Sequence, residues 1–217
     1  MSPYSGRPGF PPARCTLYPV TMNHASAASP ALPRTRPALL RRPIARALAV
    51  VLGSLLVAVC AHVSIPLWFT PVPLTLQTFA VLLLGLLLSP PAAAAALLLY
   101  LAEGAVGLPV FSPHGPAGFL HLIGPTGGYL LSYPFSAALT ASLRRRIAPG
   151  GFASALLAAT TGSLVILLCG AAWLGIITHQ SPVTVLTLAV LPFIPGDILK
   201  VVAAAGAASG LRRFRRI

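Results

Sequence analysis

Long apolar segments separated by short basic clusters dominate this sequence from residue 44 onward. Hydrophobic residues make up 56% of the 217-residue chain and charged residues only 8%, against about 25% charged residues in a typical soluble domain. A helix needs about 20 apolar residues to cross a bilayer. Six segments reach or approach that length, at approximately residues 44–64, 72–88, 91–106, 122–143, 151–178 and 184–210. The pattern predicts an all-α integral membrane protein with six transmembrane helices, a multi-pass protein of the cell membrane.

The arginines indicate the orientation of these spans, because short cytoplasmic loops retain Lys and Arg. The basic clusters lie before span 1, between spans 4 and 5 and after span 6, at residues 34–46, 144–146 and 212–216. The loops at the other ends of the spans contain no Lys or Arg; they cover approximately residues 65–71, 107–121 and 179–183. Every cluster therefore agrees with one topology, in which both termini are cytoplasmic.

The sequence divides into three parts. Residues 1–43 are rich in Pro, Ser, Ala and Arg and contain no acidic residue, so they are predicted to form a disordered N-terminal tail. A transit peptide, or a true start at Met22, is the alternative for this segment. Residues 44–211 are predicted to form the membrane domain, and residues 212–217 a basic cytoplasmic tail.

Several functional classes find no support in the sequence. The net charge of +13 comes from short arginine runs between apolar segments, so a nucleic-acid partner is not predicted. No nucleophile–base pair is visible, which disfavours an intramembrane enzyme, and no catalytic residue or cofactor is predicted. The three cysteines are widely spaced, so neither a disulfide framework nor a zinc site is predicted. The histidines also lack a metal-ligand spacing. They are interpreted as interfacial or loop residues: His24, His62, His114, His121 and His179.

The last span combines a break with two opposite charges. Pro192 and Pro195 remove backbone donors, so a regular helix is predicted to begin near Gly196. Asp197 then lies in the first turn, where the exposed N–H groups favour an acid. Lys200, the only lysine of the chain, follows three residues later on the same helix face, so we expect the two side chains to be able to touch.

Two interpretations of this charged pair are open. Asp197 and Lys200 can simply neutralise each other within the membrane. Alternatively they line a cavity, as intramembrane ionisable residues usually do. Lys200 would then receive an anionic ligand group, while Asp197 would accept hydrogen bonds from ligand N–H groups or hold the lysine in place. A small molecule with a carboxylate and amide-like donors would suit such a site.

The other acidic residue, Glu103, is predicted near the outer end of span 3. It is either an interfacial carboxylate that meets water or a ligand contact. Tyr100 and Phe111 flank it. Aromatic rings at this level are commonly membrane-belt residues, but the same rings can stack on a flat ligand.

Four motifs occur in a fixed order along the chain: "TPVPLTLQTFAVLLLGLLL" (70–88), "YLAEGAVGLPVF" (100–111), "GPTGGYLLSYP" (124–134) and "PFIPGDILK" (192–200). In these motifs the sequence resembles the BioY family, the biotin-binding S components of energy-coupling-factor transporters. The resemblance covers residues 44–211. It implies a six-helix bundle that binds biotin near the outer surface and works with a membrane-embedded coupling protein, the T component, and a pair of ATPases.

The resemblance also implies that the chain is a transporter subunit and not an enzyme. In agreement, its only lysine does not stand in the Gly-Lys-Ser/Thr setting of a P-loop. The loaded bundle is expected, by the model for this family, to reorient as a unit in the membrane.

The resemblance assigns candidate ligand contacts. Asp197 and Lys200 match the D-x-x-K motif at the start of the last helix; the biotin carboxylate suits Lys200 and the ureido N–H groups suit Asp197, with the assignment of the two ligand ends left open. Thr75 and Gln77 become candidate pocket or lid residues, an interhelical hydrogen bond being the alternative for Gln77. Tyr129 is expected to pack against the ligand ring.

Small residues predict close helix contacts. Gly127 and Gly128 are expected to let another helix approach. Ala45, Ala49 and Gly53 form a strip at fourfold spacing on span 1. S components are similar in using such a strip to dock on the coupling protein, and packing within the bundle is the alternative.

One loop departs from the family pattern. Residues 112–121 contain neither Arg nor Asn, although such loops can supply polar ligand contacts in this family. An S component for another small vitamin or a biotin precursor is therefore an alternative. A second alternative is a stand-alone transporter that uses Asp197 and Glu103 as proton sites.

Overall fold

The computed structural model describes residues 43–147 and 151–214; most of the two predicted tails lies outside these residues. The helices are α1 (Pro43–His62), α2 (Gln77–Leu87), α3 (Pro90–Ala105), α4 (Phe119–Ile123), α5 (Gly127–Arg146), α6 (Phe152–Thr178), α7 (Pro182–Ala189) and α8 (Ile194–Phe214). Strands β1 (Ser64–Ile65) and β2 (Leu74–Thr75) form a short antiparallel ribbon between α1 and α2. The all-α prediction missed this ribbon.

Three predicted spans correspond to single helices, α1, α3 and α6, within two residues at each end. Span 2 was predicted to begin at residue 72, but the chain first enters the ribbon and α2 begins at Gln77. Span 4 is divided into α4 and α5, because Gly124 has extended backbone and Pro125 follows it. The break in span 6 is confirmed, and α8 begins at Ile194, two residues earlier than predicted.

Within the described residues, three segments are long and apolar enough to cross a membrane, at Pro43–His62, Phe152–Thr178 and Pro182–Arg212. Helices α2 and α3 are apolar but shorter, and α5 ends in three arginines. Helix α8 continues through residue 212, which was predicted to lie in the C-terminal tail. Length and composition thus identify a helical membrane protein.

Helices α2, α5 and α8 run in parallel. Near their starts, the ammonium group of Lys200 donates to Thr78 Oγ1 at 3.0 Å, and Tyr133 Oη donates to Gln77 Oε1 at 3.4 Å. Near the ends of α2 and α8, Arg212 Nη2 donates to the carbonyl oxygen of Leu86 at 3.2 Å. The starts of these three helices therefore lie at the same end of the bundle.

Helices α1, α3 and α6 run in the opposite direction. The ribbon joins α1 to α2, and only residues 88 and 89 separate α2 from α3. At the junction of α5 and α6, the Arg144 guanidinium donates to the Gly151 carbonyl oxygen at 3.2 Å and to the Ser154 hydroxyl. Arg144 is only 1% exposed, so it ties the end of α5 to the start of α6.

The arginines of the described chain collect at one end of the bundle, which we call the arginine end. It contains Arg46 in the first turn of α1 and the last-turn residues Arg144, Arg145, Arg146 and Arg212. The opposite end, which we call the ribbon end, carries β1, β2, α4 and the loop at residues 106–118. The sequence pattern predicted this common placement of the clusters.

Helices α5 and α6 pack very closely at Gly128. A Cβ atom at this position would lie 2.1 Å from Trp173 Cβ and 2.7 Å from the Cys169 carbonyl oxygen. The predicted helix contact is therefore confirmed for Gly128. Gly127 also lies against other helices, because a Cβ atom there would lie 1.9 Å from the Leu122 carbonyl oxygen of α4 and 3.1 Å from Trp173 Nε1 of α6.

The strip of small residues on α1 is divided between two environments. Gly53 packs inside the bundle, where a Cβ atom would lie 3.0 Å from Ala96 Cβ and 3.3 Å from a Leu84 methyl group. Packing within the bundle, the alternative for this strip, is thus found at Gly53. Ala45 and Ala49 are partly exposed, and a docking role of the strip stays a prediction.

The Gly128 contact predicts the effect of a single added methyl group. We expect Gly128→Ala to destabilise the protein by about 1–3 kcal/mol, the usual cost of overpacking, because the backbones of α5 and α6 must separate. Thermal unfolding in detergent, followed by loss of the monomer peak in size-exclusion chromatography, measures this change.

Gly206→Ala is the matched control. Gly206 is exposed on α8, and a Cβ atom there would meet nothing within 4 Å. Alanine is better than glycine in a helix by about 0.5–1 kcal/mol, so this variant should unfold at the same or a higher temperature. Equal unfolding temperatures for the two variants would contradict the close packing at Gly128.

Candidate ligand-binding site

A cavity opens at the ribbon end, among the starts of α2, α5 and α8. Its volume is about 50 Å³. Apolar side chains of α5, α6 and the turn before α8 form part of the wall. The polar part comes from Thr75, Gln77, Thr78, Ser112, His121, Thr126, Tyr129, Tyr133, Asp197 and Lys200. The cavity is thus narrow, polar in part, and bordered by both signs of charge.

The two charged groups of α8 each have a hydroxyl partner on another helix. Lys200 Nζ donates to Thr78 Oγ1 of α2 at 3.0 Å, and Asp197 accepts a hydrogen bond from the Ser163 hydroxyl of α6. Within the described residues the two groups form no direct ion pair, so the contact expected from their spacing is not made. The hydroxyl groups of Thr78 and Ser163 bond to Lys200 and Asp197 in place of a direct ion pair between the two charges. The ammonium lies on the cavity wall.

Gln77 is the centre of a buried hydrogen-bond network. Its Nε2 donates to Tyr100 Oη at 2.6 Å, while its Oε1 accepts from Thr75 Oγ1 at 3.0 Å and from Tyr133 Oη at 3.4 Å. Gln77 is 4% exposed. The structure therefore shows both features considered for Gln77: it lines the cavity, and it joins α2 to α3 and α5. Thr75 also lies on the cavity wall.

Three predicted contacts lie away from the cavity wall. Tyr100 is fully buried and reaches the site only through Gln77. Phe111 packs edge-on against Tyr100, with ring centroids 5.4 Å apart, and borders a neighbouring loop pocket. The carboxylate of Glu103 accepts a hydrogen bond from Ser54 on α1. Each of these residues packs against, or bonds to, a neighbouring element, and direct ligand contact by them stays a prediction.

Tyr129 lies beside the cavity, and the predicted packing of its ring against the ligand stays a prediction. Its ring lines the cavity and tilts toward Phe193, with centroids 6.2 Å apart. Its hydroxyl donates to the Ala189 carbonyl oxygen at 2.7 Å. This bond connects α5 to the end of α7 and holds the ring in place beside the cavity.

Sequence reasoning missed six polar residues at or behind this site, one of which, Thr126, lines the cavity directly before α5. Thr78 directly follows Gln77 in a quoted motif and could have been included on that ground. Tyr133 also stands in a quoted motif. Ser163 stands in a long apolar segment, and nothing in the sequence links it to α8. Ser112 and His121 were treated as loop residues, but they are 7% and 3% exposed and both line the cavity.

The fold and the site define a helical membrane protein with a polar cavity at one end of its bundle, and the comparisons identify its family. The model of the BioY family matches residues 30–216. The probable biotin transporter BioY of Pyrococcus horikoshii is 37% identical over 145 residues, which cover 67% of this chain and 82% of the relative. The biotin transporter BioY of Thermotoga maritima is 34% identical over 159 residues, covering 73% and 90%. This chain therefore belongs to the BioY family.

A solved structure shows the same fold. It is the S-component for biotin from an ECF-type ABC transporter, with a TM-score of 0.73 and 24% sequence identity. The match covers 78% of this chain and 92% of that chain. At this identity the likeness establishes the fold alone.

The Gln77 network predicts a stability effect. Gln77→Met keeps the length of the side chain but removes the donor to Tyr100 and the acceptor for Tyr133. Leaving these buried hydroxyl groups with fewer partners should cost about 1–3 kcal/mol. The measurement is thermal unfolding of the purified protein in detergent.

Thr161→Val serves as the comparison, because Thr161 is exposed and its hydroxyl bonds only to the Leu157 carbonyl oxygen of its own helix. Substitutions at such surface positions usually change stability by less than about 0.5 kcal/mol. If Gln77→Met is no less stable than Thr161→Val, the network does not hold α2 against α3 and α5.

Proposed function

We propose that this protein is the biotin-binding S component of an energy-coupling-factor transporter. The observation that carries the proposal is the ammonium group of Lys200 on the wall of a polar cavity, in a chain of the BioY family. Lys200 supplies the ammonium group among the residues that line this cavity. A ligand with a carboxylate can leave water for such a site, because an ammonium–carboxylate pair offsets part of the cost of removing both charges from water.

The proposed contacts divide by chemistry. Lys200, supported by Thr78, binds the carboxylate of the ligand. Asp197, three residues earlier on the same helix, keeps the ammonium oriented toward the cavity. Tyr129 and Phe193 offer ring faces to the apolar part of the ligand, in keeping with the usual mix of aromatic walls and a few polar groups in small-molecule sites.

Ligand entry requires the walls to move apart. The cavity volume, about 50 Å³, exceeds the minimum of about 10–15 Å³ for one water but is too small for a bicyclic molecule. The walls at Val72, Pro73 and Ser112 belong to the ribbon turn and the loop before α4 rather than to long helices. We propose that these segments widen the cavity when biotin binds.

The proposed topology has six membrane crossings, with both termini in the cytoplasm. The arginine end then faces the cytoplasm, as the positive-inside rule requires, and the cavity at the ribbon end faces outward. The bundle supplies ligand binding and is not itself an enzyme. Energy comes from an ATPase pair acting through a coupling protein, which we propose docks on the exposed side of α1 at Ala45 and Ala49.

Biotin affinity provides the direct test of this proposal. The purified protein should bind biotin in isothermal titration calorimetry, and biotin should outcompete desthiobiotin, thiamine and riboflavin. Lys200→Met removes the charge and keeps most of the side-chain volume. We expect it to weaken biotin binding by about 2–5 kcal/mol, the range for removing one partner of a desolvated charge pair.

Arg145→Met is the matched control for the loss of one positive charge. Arg145 is exposed at the arginine end, far along α5 from the cavity, so biotin affinity should not change. If the Lys200→Met protein bound biotin with undiminished affinity, the ammonium would have a structural role and would not bind the ligand. A vitamin that displaces biotin from the unchanged chain would change the proposed substrate.

The orientation is tested by cysteine labelling in intact cells, with the chain's own cysteines replaced by alanine. Gln180→Cys lies in the exposed turn between α6 and α7 at the ribbon end, and Arg145→Cys lies at the arginine end. A membrane-impermeant maleimide should label the first in intact cells and the second only after permeabilisation. The reverse result would invert the proposed topology.

A further inference from the structure

One edge of the Arg144 guanidinium makes no hydrogen bond. Nη1 of this side chain donates to the Gly151 carbonyl oxygen at 3.2 Å and to the Ser154 hydroxyl. Nε and Nη2 are buried, and neither has an acceptor within the part of the chain that the structure describes. These two nitrogens carry the parallel N–H groups that match two oxygens of a carboxylate or a phosphate. Arg144 thus keeps its anion-binding edge available.

The surroundings of Arg144 add positive charge. The Arg212 guanidinium of α8 repels that of Arg144 electrostatically, and one buried apolar cluster, which includes Ala155 and Ala208, packs the start of α6 against the end of α8. The first turn of α6 contains no acidic residue, and its N-cap is Gly151, which has no side chain to cap it. Since a helix N-terminus carries a partial positive charge, an anion is favoured at this point.

The chain has no carboxylate side chain at the arginine end. Its two acidic residues are Asp197 and Glu103. Asp197 borders the cavity at the ribbon end, and Glu103 lies near the end of α3, at the same end of the bundle. A buried guanidinium without a counter-charge destabilises a protein. An anion that binds from outside the chain would therefore stabilise the arginine end.

Exposed apolar side chains flank the same groups. Phe152 follows Gly151 at the start of α6 and is 47% exposed, and Leu211 precedes Arg212 on α8 and is 48% exposed. Cationic groups beside exposed apolar side chains at a helix end suit the interface of a bilayer, where a lipid headgroup lies next to its acyl chains. This neighbourhood favours a lipid over an acidic protein segment as the source of the anion.

We infer that Arg144, Arg212 and the start of α6 bind the phosphate group of an anionic phospholipid. Nε and Nη2 of Arg144 donate to two phosphate oxygens, Arg212 adds a second positive charge, and the acyl chains lie along Phe152 and Leu211. Because both nitrogens are buried, binding requires the side chains that cover them to move apart. On the proposed topology this lipid belongs to the cytoplasmic leaflet. The site is separate from the cavity at the ribbon end and does not depend on biotin.

Native mass spectrometry of the purified full chain tests this inference, because it resolves each lipid-binding step. The chain is titrated with phosphatidylglycerol, phosphatidylcholine and diacylglycerol that carry the same acyl chains. The first phosphatidylglycerol should bind about 10- to 100-fold more tightly than phosphatidylcholine, which brings a choline cation to the arginines. Diacylglycerol lacks the phosphate and should show no such tight step.

Three substitutions locate the site. Arg144→Lys keeps the charge but loses the parallel N–H pair, so the preference for phosphatidylglycerol should fall about 10-fold. Arg212→Met removes the second cation and should also lower the preference; it carries the test if Arg144→Lys does not elute as a folded monomer. Arg145→Met is the matched control, because Arg145 is exposed at the same end, and it should change the preference by less than about 2-fold.

Three results would overturn the inference. Equal affinity of the unchanged chain for phosphatidylglycerol and phosphatidylcholine would exclude the lipid site, and an acidic side chain of the coupling protein would then be the candidate partner of Arg144. Displacement of phosphatidylglycerol by equimolar inorganic phosphate would assign the site to free phosphate. An equal loss of preference in Arg145→Met and in the other two variants would indicate general attraction to a basic surface.

Discussion

The hydrogen bond between Lys200 and Thr78 is the interaction on which the site depends. A cation within a membrane domain is costly unless polar partners surround it. Here a hydroxyl group on α2 accepts from the ammonium, and the Asp197 carboxylate interacts with it electrostatically. Because Asp197 is itself bonded to Ser163 on α6, it does not close onto the lysine. The ammonium therefore stays at the cavity wall, where it can meet an anionic group.

The same contacts that assemble the bundle also position the cavity. Gln77 connects α2 to α3 and α5, and Gly128 brings α5 against α6. Helices α2, α5 and α8 all begin at the ribbon end, so their first turns meet around one space. The close contact of α5 with α6 at Gly128 lies at the same end, next to the cavity-lining Tyr129, so this wall is held by packing, whereas the ribbon turn and the loop before α4 have no such helix contact and can move more easily.

The two ends of the bundle have different chemistry. Arginines collect at one end, and the cavity, the ribbon and the loop before α4 lie at the other. Such a division suits a protein that must present a binding site on one side of a membrane and hold a fixed orientation through its basic residues. The buried Arg144 adds to this arrangement, because its bonds to the start of α6 give one of these basic residues a structural role as well.

The long apolar segments, the arginine clusters and the prolines by themselves determined the membrane class, the approximate spans and the break before α8. These three features follow from local composition and from the backbone donors that proline lacks. They also identified Asp197, Lys200 and Gln77, since polar residues in apolar segments are conspicuous. Only the tertiary structure decided their partners. These partners depend on contacts between residues far apart in the chain, which no local pattern encodes. Examples are the bond of Lys200 to Thr78, the bond of Glu103 to Ser54 and the position of His121 on the cavity wall.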